Sequence, residues 1–600
     1  MLDKLKNNWK GIGKHRRAGV VVPLFSIYSK DSIGIGDFGD LRLVIDWCKK
    51  TGNSILQLLP LNYLGGLNCP YDCLSSFALE PVYLDLKGFY QIESFKEEIC
   101  KLKERFPFPR TYVDYAIRKE KIRLLKEMFL SDYQNNSSEI EFRDFIKNNQ
   151  YWIEDFALYK VIKDYHQGKP WYEWEIFLQK RDKRNLERFK REYLKEVLFE
   201  MWLQWQAFKQ LRKIKSYAQQ NNILLKGDLP LLVSRDSADV WAHPEYFKLD
   251  LAAGAPPDMY CAKGQRWGMA PYNWEIIAKD RYRYLKEKLR YLGNFYDILR
   301  IDHVVGLFRI WSIPYNEPLE NQGLNGFFDP EDETKWEERG RGILIKMLEN
   351  TELFLCAEDL GVIPEVCTRT LQDLEIPGND VQRWKKDYKI SHDFLKPEQY
   401  RLLSVSMLST HDTTNWPAWW QYEAGTVDEE LFKRRCSDHR NIGFEAVKDR
   451  LFDLGCSRHG RLRWRQEINS VEKLVEILGK KKEELADFID FYQNTYKEKE
   501  KLWNHLGLKG EMREEVDPEI LRYALRITLK ANSVFCINTI IDYLGLLDLL
   551  KPDPYPYRIN TPGTISEKNW SLVIPLSLED LLASQINKEI YEMIVSSGRI

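Results

Sequence analysis

Short, almost unbroken apolar runs alternate along this chain with long stretches in which apolar residues recur every three or four positions. The runs are 20–25 (VVVPLF), 54–59 (SILQLL), 223–229 (ILLKGDL), 297–302 (DILRID), 354–359 (FLCAED), 404–409 (SVSMLS) and 533–540 (SVFCINTI), with 381–384 (VQRW) as an eighth. Runs that lack polar alternation and close on polar residues fit strands of a parallel sheet buried on both faces. About eight of them, separated by helices, is the count of a (β/α)8 TIM barrel in the α/β class. A doubly wound sheet would show the same alternation, so the choice rests on where the acidic residues fall.

Three segments interrupt the alternation. Residues 89–222, dense in Lys, Glu, Trp and Phe, carry no strand signal and are too long for a loop. Their last part places Leu194, Leu198, Trp202, Trp205, Phe208 and Leu211 at helical spacing, so an inserted helical subdomain is expected there. A second helical insertion is expected at about 427–528, before the last strand, where the 480–484 run (KKKEE) reads as a solvated helix face. Within about 245–285, the stretch 251–268 with Gly254, Pro256, Pro257, Gly264 and Gly268 reads as a shaped loop bordering a cleft. No internal repeat appears, and residues 1–600 read as a single barrel with inserts.

Charge and composition narrow the function classes. The 89 Lys and Arg against 90 Asp and Glu exclude a nucleic-acid binder held by a general basic field. No apolar run reaches the length of a membrane span. The basic 14–17 (KHRR) ahead of 18–28 superficially resembles a signal peptide, but Pro23 interrupts the run and no small-x-small site follows. A buried first strand and a cytoplasmic protein are expected instead. The ten cysteines are scattered and read as reduced thiols, with neither metal nor organic cofactor implied.

Acidic residues then decide the architecture. Asp228, Asp302, Glu358 and Asp412 each follow an apolar run, and the C-terminal strand ends of a parallel barrel open onto one face. A single acid at such a place is commonly a helix cap or structural ion pair. Several together raise one another's proton affinity, which prepares one as an acid while another stays ionised. Glycoside chemistry uses that division: one carboxylate attacks the anomeric carbon, another protonates the leaving oxygen. Arg300, two residues before Asp302, lies on the same side of its strand and would hold that carboxylate ionised, as a nucleophile requires; the alternative is a buried ion pair without chemistry.

Arg300-Ile-Asp302-His303, Ala357-Glu358-Asp359-Leu-Gly361 and Thr410-His411-Asp412 resemble the signature regions of the 4-α-glucanotransferases, the amylomaltases or disproportionating enzymes related to the α-amylases. Collinear matches continue through Gly34-Ile-Gly36-Asp37, Gln57-Leu-Leu-Pro60, Cys69-Pro70-Tyr71, Gly227-Asp228-Leu-Pro230, Pro256-Pro257-Asp258, Gly264-Gln265-Arg-Trp267-Gly268 and Asn560-Thr561-Pro562-Gly563-Thr564. Cys69 stands where Ser is common, Glu80 where Asn is usual, and 268–272 reads GMAPY in place of GNPLY.

The resemblance implies a covalent glycosyl-enzyme on Asp302, Glu358 as acid and then base, and Asp412 gripping the reacting glucose. It makes Arg300 the orienter of Asp302, His411 a sugar contact and Asp228 a support. Asp258 and Gln265 join the substrate contacts, Tyr71 and Trp267 stack on glucose faces, and His303 is either a core hydrogen bond or a sugar contact. The substrates implied are malto-oligosaccharides, glycogen or another α-1,4-glucan. The rival readings are a net α-amylase-type hydrolase and a non-catalytic glucan-binding protein.

Overall fold

The computed structural model describes residues 6–257, 263–439 and 442–600. Its centre is an eight-stranded parallel sheet: β1 (Arg17–Val21), β2 (Ile55–Gln57), β3 (Leu224–Leu229), β4 (Ile298–Ile301), β5 (Phe354–Ala357), β6 (Gly378–Val381), β7 (Ser404–Met407) and β8 (Phe535–Thr539). Neighbours around the sheet run β6-β7-β8-β1-β2-β3-β4-β5, so every pair is consecutive in the chain apart from β8 and β1, which also pair in parallel. The free ends meet through Ala357 N donating to Pro377 O at 2.8 Å. This cyclic order is that of a barrel; a doubly wound sheet would reverse direction once. β4, β5, β7 and β8 are buried along their whole length, as unbroken apolar runs demand, and so is β6, which has no such run.

Two strands lie apart from their apolar signals: β1 shares only residues 20–21 with the run 20–25, whose end enters the 3-10 turn Leu24–Ser26, and β6 shares only Val381 with the run 381–384. Residues 382–384 form a single 3-10 turn, and β6 is the preceding Gly378–Val381. That strand reads GNDV and buries Asn379 and Asp380, so it lacks an apolar run.

The insertion after β2 contains helices from Lys96–Arg105 to the 27-residue Leu194–Gln220, which returns the chain to β3. That last helix buries Trp202, Trp205 and Leu211, whereas Leu194 at its start stays exposed. The stretch read as a loop at 251–268 holds two strands, Leu251–Ala255 and Gln265–Arg266, which join Ile310–Pro314 and Phe327–Asp329 in a four-stranded antiparallel sheet. The expected helical insertion at 427–528 is mixed. Its helices surround a three-stranded antiparallel sheet, Thr426–Asp428, Phe452–Arg458 and Arg461–Trp464, with a core of its own that includes Phe432, Phe452, Trp464 and Phe488. His459 (φ 54°) and Gly460 (φ 71°) alone link the last two strands, the left-handed pair that a two-residue hairpin requires.

Candidate active site

Asp228 sits one residue from the end of β3 and is in register with Arg300 of β4, so both side chains enter the barrel together. Arg300 Nη1 donates to both Asp228 oxygens at 2.7 Å and to Asp302 Oδ1 at 3.0 Å. The Tyr71 hydroxyl donates to Asp228 Oδ2 at 2.7 Å. Asp228 is thereby saturated and fully buried, whereas Asp302, just past β4, keeps 24% of its side chain exposed.

Glu358 follows β5 directly. Its Oε2 accepts the backbone N–H of His303 and its Oε1 that of Leu360, both at 2.8 Å. His303 adopts the left-handed region (φ 43°), unusual for a residue with a side chain, and that turn delivers its N–H to Glu358. Asp412 lies in the loop after β7. Its Oδ1 accepts from Asn560 Nδ2 at 2.7 Å, its Oδ2 faces His411 Nε2 at 3.3 Å, and Arg558 donates to its backbone oxygen at 3.1 Å. The His411 ring stacks on Tyr71 with centroids 5.3 Å apart, and Trp570 packs against both rings.

A cavity of about 340 Å³ opens onto Asp302, Glu358 and Asp412, with Tyr71, Gln265, Trp267 and His303 in its walls. Trp267 meets His303 edge-on at 4.9 Å and donates its indole N–H to Gln265 Oε1 at 2.9 Å. Asp228, Arg300 and His411 stand behind that lining. Asp258 lies outside the described residues. Asn560, Arg558 and Trp570 also belong to the site, although sequence reasoning gave them no role. Asn560 opens the Asn560-Thr-Pro-Gly-Thr motif, which shows no chemistry until its fold places it against Asp412, and Arg558 and Trp570 lie outside that motif.

The carboxyl groups occupy unlike environments. Burial lifts Asp302 to about 7, with the Asp228 and Glu358 charges adding to the rise and Arg300 opposing it. Burial also raises Glu358, against Arg300 and the two backbone N–H donors. Asp412 goes the other way: although burial opposes it, the neighbouring His411 and the Asn560 bond draw it down to about 2. His411 is raised in return, because the Asp412 charge outweighs its burial. Burial, with the Arg309 charge adding to it, lowers His303 to about 4, so it is neutral near pH 7. Asp302 and Glu358 are thus both inclined to hold a proton while Asp412 stays ionised, so the first two can share acid and nucleophile roles beside a fixed anion. Among the described residues, no group of three or more His, Cys, Asp or Glu is arranged to hold a metal ion.

Comparison with known proteins decides the family. A family model described as 4-alpha-glucanotransferase matches residues 22–577. The chain belongs to the 4-α-glucanotransferase family. The 4-alpha-glucanotransferase of Chlamydia pneumoniae is 34% identical over 581 residues, covering 96% of this chain and 94% of that protein. That of Aquifex aeolicus is 33% identical over 453 residues, 73% of this chain and 87% of its own. Among solved structures, the amylomaltase from Streptococcus agalactiae in complex with acarbose superposes with a TM-score of 0.69 at 22% identity, covering 97% of this chain and 99% of that one. This structural likeness shows the shared fold. The chain thus has the barrel of a 4-α-glucanotransferase family member, with Asp302 and Glu358 directly after the ends of β4 and β5.

Proposed function

We propose that this chain is a retaining 4-α-glucanotransferase that moves α-1,4-glucan segments between malto-oligosaccharides, or onto glucose or a branched glucan such as glycogen. The observation that carries the reading is the gathering of Asp302, Glu358 and Asp412 in one cavity, in three different electrostatic settings. Asp302 and Glu358 hold one proton between them in the productive form. We assign it to Glu358, because Asp302 has a direct bond from Arg300 that favours its anion against burial, whereas Glu358 accepts only backbone N–H groups.

In the first step an Asp302 oxygen bonds to the anomeric carbon, the glycosidic bond breaks, and Glu358 gives its proton to the departing oxygen. In the second an acceptor hydroxyl attacks that carbon, its proton passes to Glu358, and Asp302 is released. Asp412, anionic and fixed by Asn560 and His411, binds hydroxyls of the reacting glucose. Tyr71 and Trp267 offer rings to glucose faces, with Gln265 and His303 beside them. We place the enzyme in the cytoplasm. Its nine described cysteines are free thiols, and no described helix is long and apolar enough to cross a membrane.

Incubation with maltotriose is the test. A transferase yields glucose and a ladder of longer oligomers while total reducing ends stay nearly constant. Reducing ends that rise faster than the ladder forms would identify a hydrolase, and no turnover at all a binding protein.

A further inference from the structure

Two large apolar side chains lie bare at the cleft: Leu67 is 53% exposed and Ile565 84%. Single exposed apolar residues are commonplace. These two come from segments almost five hundred positions apart in the chain, yet both line the cavity that holds Asp302, Glu358 and Asp412.

Neither is exposed because its loop hangs free. Around Leu67, Arg118 donates to Leu64 O at 3.0 Å and to Asn68 Oδ1 at 3.1 Å, and Gly65 N donates to Asp72 O at 3.3 Å. Arg118 is itself anchored on the fully buried Glu80 carboxylate at 3.0 Å. Around Ile565, Asn569 donates to Thr564 O at 3.0 Å and accepts from Thr561 N at 3.2 Å, while the Thr564 hydroxyl donates to Thr561 O at 2.7 Å. Both backbones are braced, and the braces present the apolar side chains outward.

We propose that Leu67 and Ile565 form an apolar jaw across the mouth of the cleft that covers the bound glucan and keeps water from the glycosyl-enzyme, and so sets the division between transfer and hydrolysis. The inference rests on the transferase reading above. Its chemical basis is that water and a sugar hydroxyl are interchangeable in the second step. Either oxygen can bond to the anomeric carbon as the ester bond to Asp302 breaks, and either gives its proton to Glu358. The carboxylates do not tell the two apart, so the choice falls to whatever fills the mouth. A polar rim would carry ordered water to that place, whereas Leu and Ile cover the C–H faces of a sugar and leave no such seat.

The test is the double substitution Leu67→Ser and Ile565→Ser, read on maltotriose by separate measurement of reducing ends and ladder. Hydrolysis as a share of turnover should rise roughly fivefold, the scale of about one CH2 group of apolar cover, because both side chains stay partly exposed. The melting temperature should hold, because both side chains are exposed. Leu67→Val with Ile565→Leu should keep the parent's partition. A double Ser variant that partitions like the parent overturns the jaw. So does a proportional loss of both reactions with a lowered melting temperature, since that marks a structural role. A parent protein that forms no ladder overturns the transferase reading itself, an outcome seen before any variant is made.

Discussion

Arg300 serves two carboxylates with one nitrogen, and its bonds to Asp228 are the shorter ones. Removing the Asp302 charge therefore does not orphan the guanidinium. Because burial lifts Asp302 to about 7, its ionisation opposes folding above that pH, and the penalty vanishes below the ordinary carboxylate range. Asp302→Asn should accordingly unfold no earlier than the parent at pH 8 while forming no adduct with α-glucosyl fluoride. In Glu358→Gln the adduct should form, since fluoride leaves without a proton, and its transfer should be slow for want of a base. Intact-protein mass spectrometry with peptide mapping checks both, and label found on Glu358 or Asp412 would reverse the roles. Asp228 tunes the same pair. Its negative charge raises Asp302, so Asp228→Asn should move the acid limb of the kcat/KM profile on a short donor to lower pH. A limb that stays, or moves up, would show that Asp228 acts only through structure.

At the level of elements, what could be read from the chain was what apolar runs reveal. Six barrel strands coincide with such runs, because a strand covered on both faces needs no polar alternation, and β1 shares only residues 20–21 with its run. β6 escapes the rule: its Asp380 is buried on Arg401 and Lys385, partners that no local pattern discloses. The strand at Leu251–Ala255 escapes it differently. Its Gly254 and the prolines after it suggest a loop, yet the glycine is there because Gln265 O approaches to 2.0 Å of where a Cβ would stand. Asp302, Glu358 and Asp412 were legible as strand-end acids, whereas the hold of Asn560 on Asp412 spans 148 positions and was not. Glu80, which replaces the usual Asn, gains its meaning from Arg118 on the helix Ala116–Ser131. Breaking that buried pair with Arg118→Met leaves a carboxylate without its cation and should cost about 3 kcal/mol. The loss should appear as a lower melting temperature together with faster amide exchange at 64–72. Unaltered exchange in those residues would mean that the loop holds itself.

Over the whole molecule, the cleft is lined by four distant stretches, 67–72, 230–232, 265–269 and 560–570, around Asp302, His303, Glu358 and Asp412, whereas none of the satellite core around Phe432, Phe452 and Trp464 lines the cavity. The two parts touch where His459 at the hairpin tip stacks on Tyr555, centroids 3.6 Å apart and rings nearly parallel, and where Lys386 Nζ donates to Asn494 O at 3.2 Å. A ligand suppresses only those openings that destroy its own site. Loosening of the three-stranded sheet leaves Asp302, Glu358 and Asp412 in place, so a bound glucan gains nothing by preventing it. With Glu358→Gln and maltoheptaose at about a hundred times its Kd, the added protection available is about 2.7 kcal/mol, on the order of a hundredfold slower exchange. That slowing should appear in the four cleft stretches and be absent from residues 452–464, as read by hydrogen exchange on proteolytic peptides. Equal slowing in the hairpin would show that satellite and barrel open as one cooperative unit. The His459–Tyr555 contact would then couple the satellite to the segment that carries Asn560 onto Asp412.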